Sequence, residues 1–169
     1  MDFQQLMQTE LRKLYATEQT LLEGLHFMAD KAHAAPLRKA FETHAKESEG
    51  QARRLQEIAS LVGFEIGGEE SLVARALVQE AQEAFGKADP SPAVDAGLIG
   101  AAQKAEHVEI ACYGTAVTMA RQAGMDEAAE LLGQSLAEEK KTDDLLTEIA
   151  ESRVNQKAVA EAGSKVSVL

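Results

Sequence analysis

Eight residues in this chain combine types and spacings that could do chemistry together: Glu18, His44, Glu47, Glu106, Glu109, Glu138, Glu139 and Asp143. Nearly all interrupt stripes that are otherwise apolar. The stretch Ala101–Thr115, AAQKAEHVEIACYGT, reads as a core helix. One face of it runs Ile99, Ala102, Glu106, Glu109, Tyr113, Ala116, Ala120, in steps of three and four that keep every side chain on one stripe. Glu18 falls between Leu14 and Leu21 in a similar stripe. A third stripe, Leu37, Phe41, His44, Glu47, Gln51, Leu55, Ile58, Val62, is polar in its middle and apolar at its ends. Near the C-terminus two neighbouring stripes carry Glu138 and Glu139–Asp143 at mid-helix, flanked by Leu131, Leu132, Leu145 and Leu146. An unpaired buried charge costs several kcal/mol. Solvent, protonation, basic partners or a bound cation must offset it.

Carboxylates converging with one imidazole make a hard, oxygen-rich site, which suits Fe, Mn, Mg or Ca better than Cu or Zn. Divalent cations would remove the mutual repulsion that otherwise raises carboxyl pKa values. Tyr15 and Tyr113 lie near the acid layer, where they read as core packing, as hydrogen-bond partners of carboxylates or as redox-accessible phenols. His107 sits off the main stripe and reads as a polar contact; His26 and His33 read as surface or hairpin residues. Cys112 is the only cysteine, so no intrachain disulfide forms, and it reads as a small buried hydrophobe.

Helices must position these groups. The composition is rich in strong helix formers, and few segments show the alternation of strands. Asp2 can cap a first helix running to about Ala32. Pro36 suits the first turn of a second helix, which ends at Val62 before Gly63 as a left-handed cap. Residues 63–92 change character and read as a long crossover. It holds a short amphipathic helix from Ser71 to about Lys87, with Leu72, Ala76, Leu77, Ala81 and Phe85 apolar, then the breaker Asp89-Pro90-Ser91-Pro92. A third helix spans about Ala93 to Ala123. Asp126 caps a fourth, which runs to about Ala150. Residues 153–169 read as a short helix, Asn155–Ala162, and a loose tail, Gly163–Leu169.

The chain also aligns with itself. Shifted by 91 positions, residues 11–59 lie on residues 102–150 without a gap. Both interhelix breaks coincide, Glu18 falls on Glu109 and Glu47 falls on Glu138. Two related hairpins joined by a crossover pack as an all-α four-helix bundle over residues 1–152. The mid-helix acids then meet at one level of its core.

The net charge of −11 excludes direct nucleic-acid binding, which needs clustered Lys and Arg, and favours attraction of cations. No run approaches the roughly 20 apolar residues of a membrane span. The N-terminus MDFQQLMQTE has no signal-peptide pattern, so a cytoplasmic location is expected.

The runs LRKLYATEQTLLEGL, AFETHAKESEGQARRLQEI, AAQKAEHVEIACYGT and LAEEKKTDDLL resemble the YciE/YciF-type ferritin-like stress proteins over about residues 6–150. The resemblance implies a ferritin-like bundle, commonly a homodimer, with a di-metal centre of two Fe or Mn ions and a role in stress. It assigns Glu18 to the single Glu of helix one, Glu47 to helix two, Glu109 or Glu106 to helix three, and Glu138 or Glu139 to helix four. The repeat favours Glu138, and the stripe shared with Asp143 favours Glu139. The wider ferritin-like pattern places a His three residues after the Glu of helices two and four. Here those positions are Gly50 and Lys141 (or Thr142), while His44 precedes Glu47 by three and Asp143 could replace the second His. The expected function is peroxide or oxygen chemistry at this centre. The alternative is a non-enzymatic dimeric module that docks through Leu72, Leu77 and Phe85 and keeps a structural or vestigial metal site.

Overall fold

The computed structural model describes residues 1–166. Its helices are α1 (Phe3–Lys31), α2 (Ala35–Val62), α3 (Leu72–Phe85), α4 (Pro92–Gln122), α5 (Asp126–Ile149) and α6 (Asn155–Val166). A π turn, Ala150–Val154, joins α5 to α6. No strand occurs among the described residues, and none of the described helices is long and apolar enough to cross a membrane.

Local signals set most of the helix ends. Asp2 accepts from the Gln5 amide and Gln5 reaches back to the Asp2 N–H, a reciprocal cap on α1. Gly63 takes φ 81°, a left-handed conformation that suits glycine, and its N–H closes α2 on Ala59. Ser71 and Ser91 cap α3 and α4. Asp126, expected as a cap, is instead the first residue of α5, with Met125 at the cap position and no side-chain bond there.

The α1–α2 and α4–α5 hairpins pack side by side. In projection α1 neighbours α2 and α4, and α5 neighbours α2 and α4. The buried Asp95 of α4 ties the two hairpins together, accepting from the His33 and Ala34 backbone N–H groups at 2.7 and 2.8 Å. The crossover helix α3 lies along the outside of the α1–α4 seam. Its inner face is Ala74, Val78 and Ala81, set against Leu21, Gly24 and Ala105. The expected stripe is therefore rotated: Leu72 and Ala76 point outward. Phe85 lies so close over Gly97 that a Cβ there would sit 2.4 Å from the ring.

The C-terminal region also departs from expectation. Helix α5 ends at Ile149, as expected, but a π turn, not a loop, follows it and leads straight into α6. Helix α6 continues through Gly163 to Val166, so residues 163–166 of the expected loose tail are helical. Residues 167–169 of that tail lie outside the described residues.

The core has two dry halves. One gathers Leu25, Met28, Leu37, Phe41, Leu98, Ile99 and Leu146. The other gathers Leu11, Leu14, Leu55, Ile58, Tyr113, Ala116 and Leu132. Between them, at mid-helix, lies a polar layer.

Candidate metal centre

The layer is built from all four bundle helices, because each carries its acid or imidazole at the same depth. Glu18 on α1, His44 on α2, Glu106 and Glu109 on α4 and Glu139 on α5 are each no more than 3% exposed. His44, Glu106, Glu109 and Glu139 form a quartet, each offering one ligand atom, and those atoms lie within 4.8 Å of one another. His44 Nε2 is 3.2 Å from Glu106 Oε1 and 3.5 Å from Glu139 Oε2. A single Nε2–H cannot serve both carboxylates well. Its Nδ1 lies 3.3 Å from Thr142 Oγ1 and 3.6 Å from Glu47 Oε2.

Glu18 stands beside the quartet. Its two oxygens accept from Ser48 Oγ and Tyr113 Oη, each at 2.5 Å. Gln51, fully buried, donates from Nε2 to Glu139 Oε1 and, at 3.1 Å, to Glu138 Oε2.

Electrostatics in the layer are those of crowded carboxylates. Burial pushes the Glu18 carboxyl from its ordinary 4.5 up to about 7, against the lowering effect of Ser48 and Tyr113. Burial, then the charges of Glu18, Glu139 and Glu106, drive Glu109 well above the carboxylate range. Burial raises Glu139 well above it too, despite the nearby His44 charge. Burial alone would lower His44, but its bonds to Glu106 and Glu47 and the charges of Glu106 and Glu139 hold the imidazole well above its usual value. Tyr113 is raised by burial and then by Glu18.

The structure brings Glu18, His44, Glu106, Glu109 and Glu139 together and leaves three of the expected residues at the rim. Glu47 is 25% exposed and lies 3.5 Å from Lys141 Nζ, and the His44 imidazole, 3.6 Å away, keeps its carboxyl low. Glu138 turns to Arg54, whose Nε also donates to Ser135 Oγ at 2.9 Å. Asp143 accepts from Gln103 at 3.1 Å and faces the exposed His107. Tyr15 is away from the layer, with its hydroxyl accepting from Gln56, and Cys112 is half-buried. Sequence reasoning did not single out Ser48, Gln51 and Thr142 as companions of the acids. The repeat holds the signal: shifting by 91 places Ser48 on Glu139 and Gln51 on Thr142, all four buried. The pair the repeat favoured, Glu47 and Glu138, is a rim pair.

These residues fit a hard cation. Glu106 Oε2, Glu109 Oε1, Glu139 Oε2 and Gln51 Oε1 are buried without a hydrogen-bond partner. Buried polar atoms are nearly always satisfied, so these oxygens, three of them on carboxylates gathered around His44, fit a positive centre. The donor set, three carboxylates and one imidazole, could hold a metal ion.

The sequence family described as Domain of unknown function (DUF892) matches residues 2–159. The chain is 38% identical to Protein YciF of Escherichia coli K12 over 149 residues, covering 88% of this chain and 90% of that protein. The crystal structure of the E. coli stress protein YciF superposes with a TM-score of 0.88 at 35% identity, over 93% of this chain and 99% of that one. The structure of YcfI from Rhodopseudomonas palustris superposes with a TM-score of 0.83 at 29% identity, over 87% of this chain and 94% of that one.

Proposed function

The chain belongs to the family described as Domain of unknown function (DUF892) and shares the ferritin-like helical fold of YciF, and on that premise we propose that it is a metal-binding stress protein acting on peroxide or oxygen. The observation that carries this reading is the set of orphaned oxygens on Glu106, Glu109 and Glu139 around His44. The quartet would hold the first Fe or Mn ion, and Glu18 with Glu109 would serve a second. Such an ion would supply one-electron redox chemistry toward peroxide or oxygen.

The chain's own residues define the surroundings. His44, with Thr142 within hydrogen-bond distance of Nδ1 and the Glu47 carboxylate beyond it at 3.6 Å, presents Nε2 to the carboxylates. Ser48 and Tyr113 fix the orientation of Glu18. The two apolar halves of the core and α3 keep bulk water from three directions, which strengthens every charge interaction within.

Protein loaded with Fe(II) without oxygen and then mixed with hydrogen peroxide should consume it faster than the same Fe(II) free in buffer. A His44→Ala, Glu109→Ala variant should lose both the bound iron and the turnover. Turnover that survives in that variant would rule the centre out as its seat.

A second reading, a dimeric interaction module, draws on Leu72 and Val73, which are 73% and 47% exposed at the start of α3. Leu77 and Phe85, expected in the same interface, instead pack inward. A Leu72→Glu variant that turns a dimer into a monomer while keeping its metal would favour this role as an addition to the first.

A further inference from the structure

Resting on the metal-binding reading above, we propose that divalent cations reach the buried quartet along the α2–α5 seam, with Glu47 as a transit carboxylate and Lys141 as the group that holds it closed. The two ends of the bundle and the α1–α4 seam are closed. Apolar clusters fill the bundle on either side of the layer, and α3 covers the α1–α4 seam at the level of Leu21 and Ala105. The α2–α5 seam is different, because its contacts at that level are a polar ladder. Glu47 pairs with Lys141, Gln51 bridges Glu138 and Glu139, and Arg54 pairs with Glu138.

Glu47 has the position that transit requires. One oxygen lies 3.6 Å from His44 Nδ1 and the other 3.5 Å from Lys141 Nζ. Its side chain is 25% exposed while His44, Glu106 and Glu139 are at most 3% exposed. A cation in solvent can therefore meet Glu47 without any movement of the core. Lys141 is 74% exposed, and an ion pair so open is worth about 0–1 kcal/mol, weak enough for a dication to displace. The buried unpartnered oxygens of Glu106, Glu109 and Glu139 then lie one step further in.

The test is stopped-flow binding of Co(II), followed by its visible absorption, with chelator-driven release measured in the same way. Lys141→Ala should speed loading and release by a similar factor, up to about fivefold, the most that losing a pair of this strength allows. The dissociation constant should change less than either rate. Glu47→Gln should slow loading by about tenfold, through the loss of local attraction, and still bind the wild-type number of Co(II) ions. Loss of a bound ion in Glu47→Gln would make Glu47 a resident ligand and overturn the proposal while leaving the metal-binding reading intact. Unchanged rates in Lys141→Ala would overturn it as well. Wild-type protein that binds no Co(II) would remove the metal-binding reading and this route with it.

Discussion

His44 Nε2 lies 3.2 Å from Glu106 Oε1, which joins α2 to α4 across the diagonal of the bundle. An imidazole in this position compensates part of the charge of three surrounding carboxylates. It cannot compensate all of it, and the remaining deficit has measurable consequences for the metal-free protein.

Stability of the metal-free protein should fall as pH rises from 5 to 8. Glu18 is raised from 4.5 to about 7, so across that window the folded chain holds a proton the unfolded chain has lost. By linkage, stability present below pH 4.5 is lost progressively up to about 7, to the extent of roughly 3 kcal/mol from this group alone. Glu109 and Glu139, also raised, extend the loss upward, and the raised His44 acts in the same direction above its usual value. Glu47, held low, loses its contribution only as pH falls toward acid. Urea melts at several pH values with a chelator present would show the slope, and saturating Mn(II) should flatten it. Stability that rises with pH in the chelated protein would be inconsistent with these buried carboxyls.

Glu109→Gln should stabilise the metal-free protein at pH 7 by about 1–3 kcal/mol, because the neutral amide removes the cost of protonating or burying the carboxylate. At pH 4.5, where the unfolded carboxyl is itself about half protonated, the gain should shrink. The same variant should bind Mn(II) more weakly. Thermal melts at the two pH values with and without Mn(II) would separate these effects.

Tyr113→Phe should cost about 1–3 kcal/mol, since it strips one donor from a fully buried Glu18 oxygen. Loss of ring packing is minimal in this exchange. Chemical denaturation measures it directly, and an unchanged midpoint would mean that Glu18 finds another donor.

Asp95→Ala should cost about 1–3 kcal/mol by removing a buried carboxylate that accepts from the His33 and Ala34 N–H groups. The expected exchange signature is early opening at the α1–α2 corner in amide hydrogen exchange, with the polar layer still protected.

Much of this architecture is legible in the chain. The reciprocal cap at Asp2, the glycine stop at Gly63 and the short turns between long periodic segments all follow from local chemistry. Glu18, Glu106 and Glu109 could be read as buried because each sits in a three-and-four stripe of Leu, Ala and Ile. Glu139 could not be separated from Glu138, because adjacent positions lie on neighbouring stripes, both with apolar flanks. Packing against α2 decides between them: Arg54 holds Glu138 at the rim, while Gln51 bonds Glu139 inside. Asp95 was not legible, because its partners are backbone groups some sixty positions away. The face of α3 was legible only in part: Leu77, Ala81 and Phe85 pack inward, but Ala74 takes the inner position at the start of the helix while Leu72 and Ala76 point outward.

The most direct test of the centre is elemental analysis of the purified chain from cells grown with added Fe and with added Mn. The proposed metal-binding role predicts stoichiometric Fe or Mn that survives desalting in the wild type and is absent from a Glu106→Gln, Glu109→Gln variant that remains folded. Wild-type protein that emerges free of metal under both conditions, or a variant that keeps its metal, would contradict a cation site at the quartet.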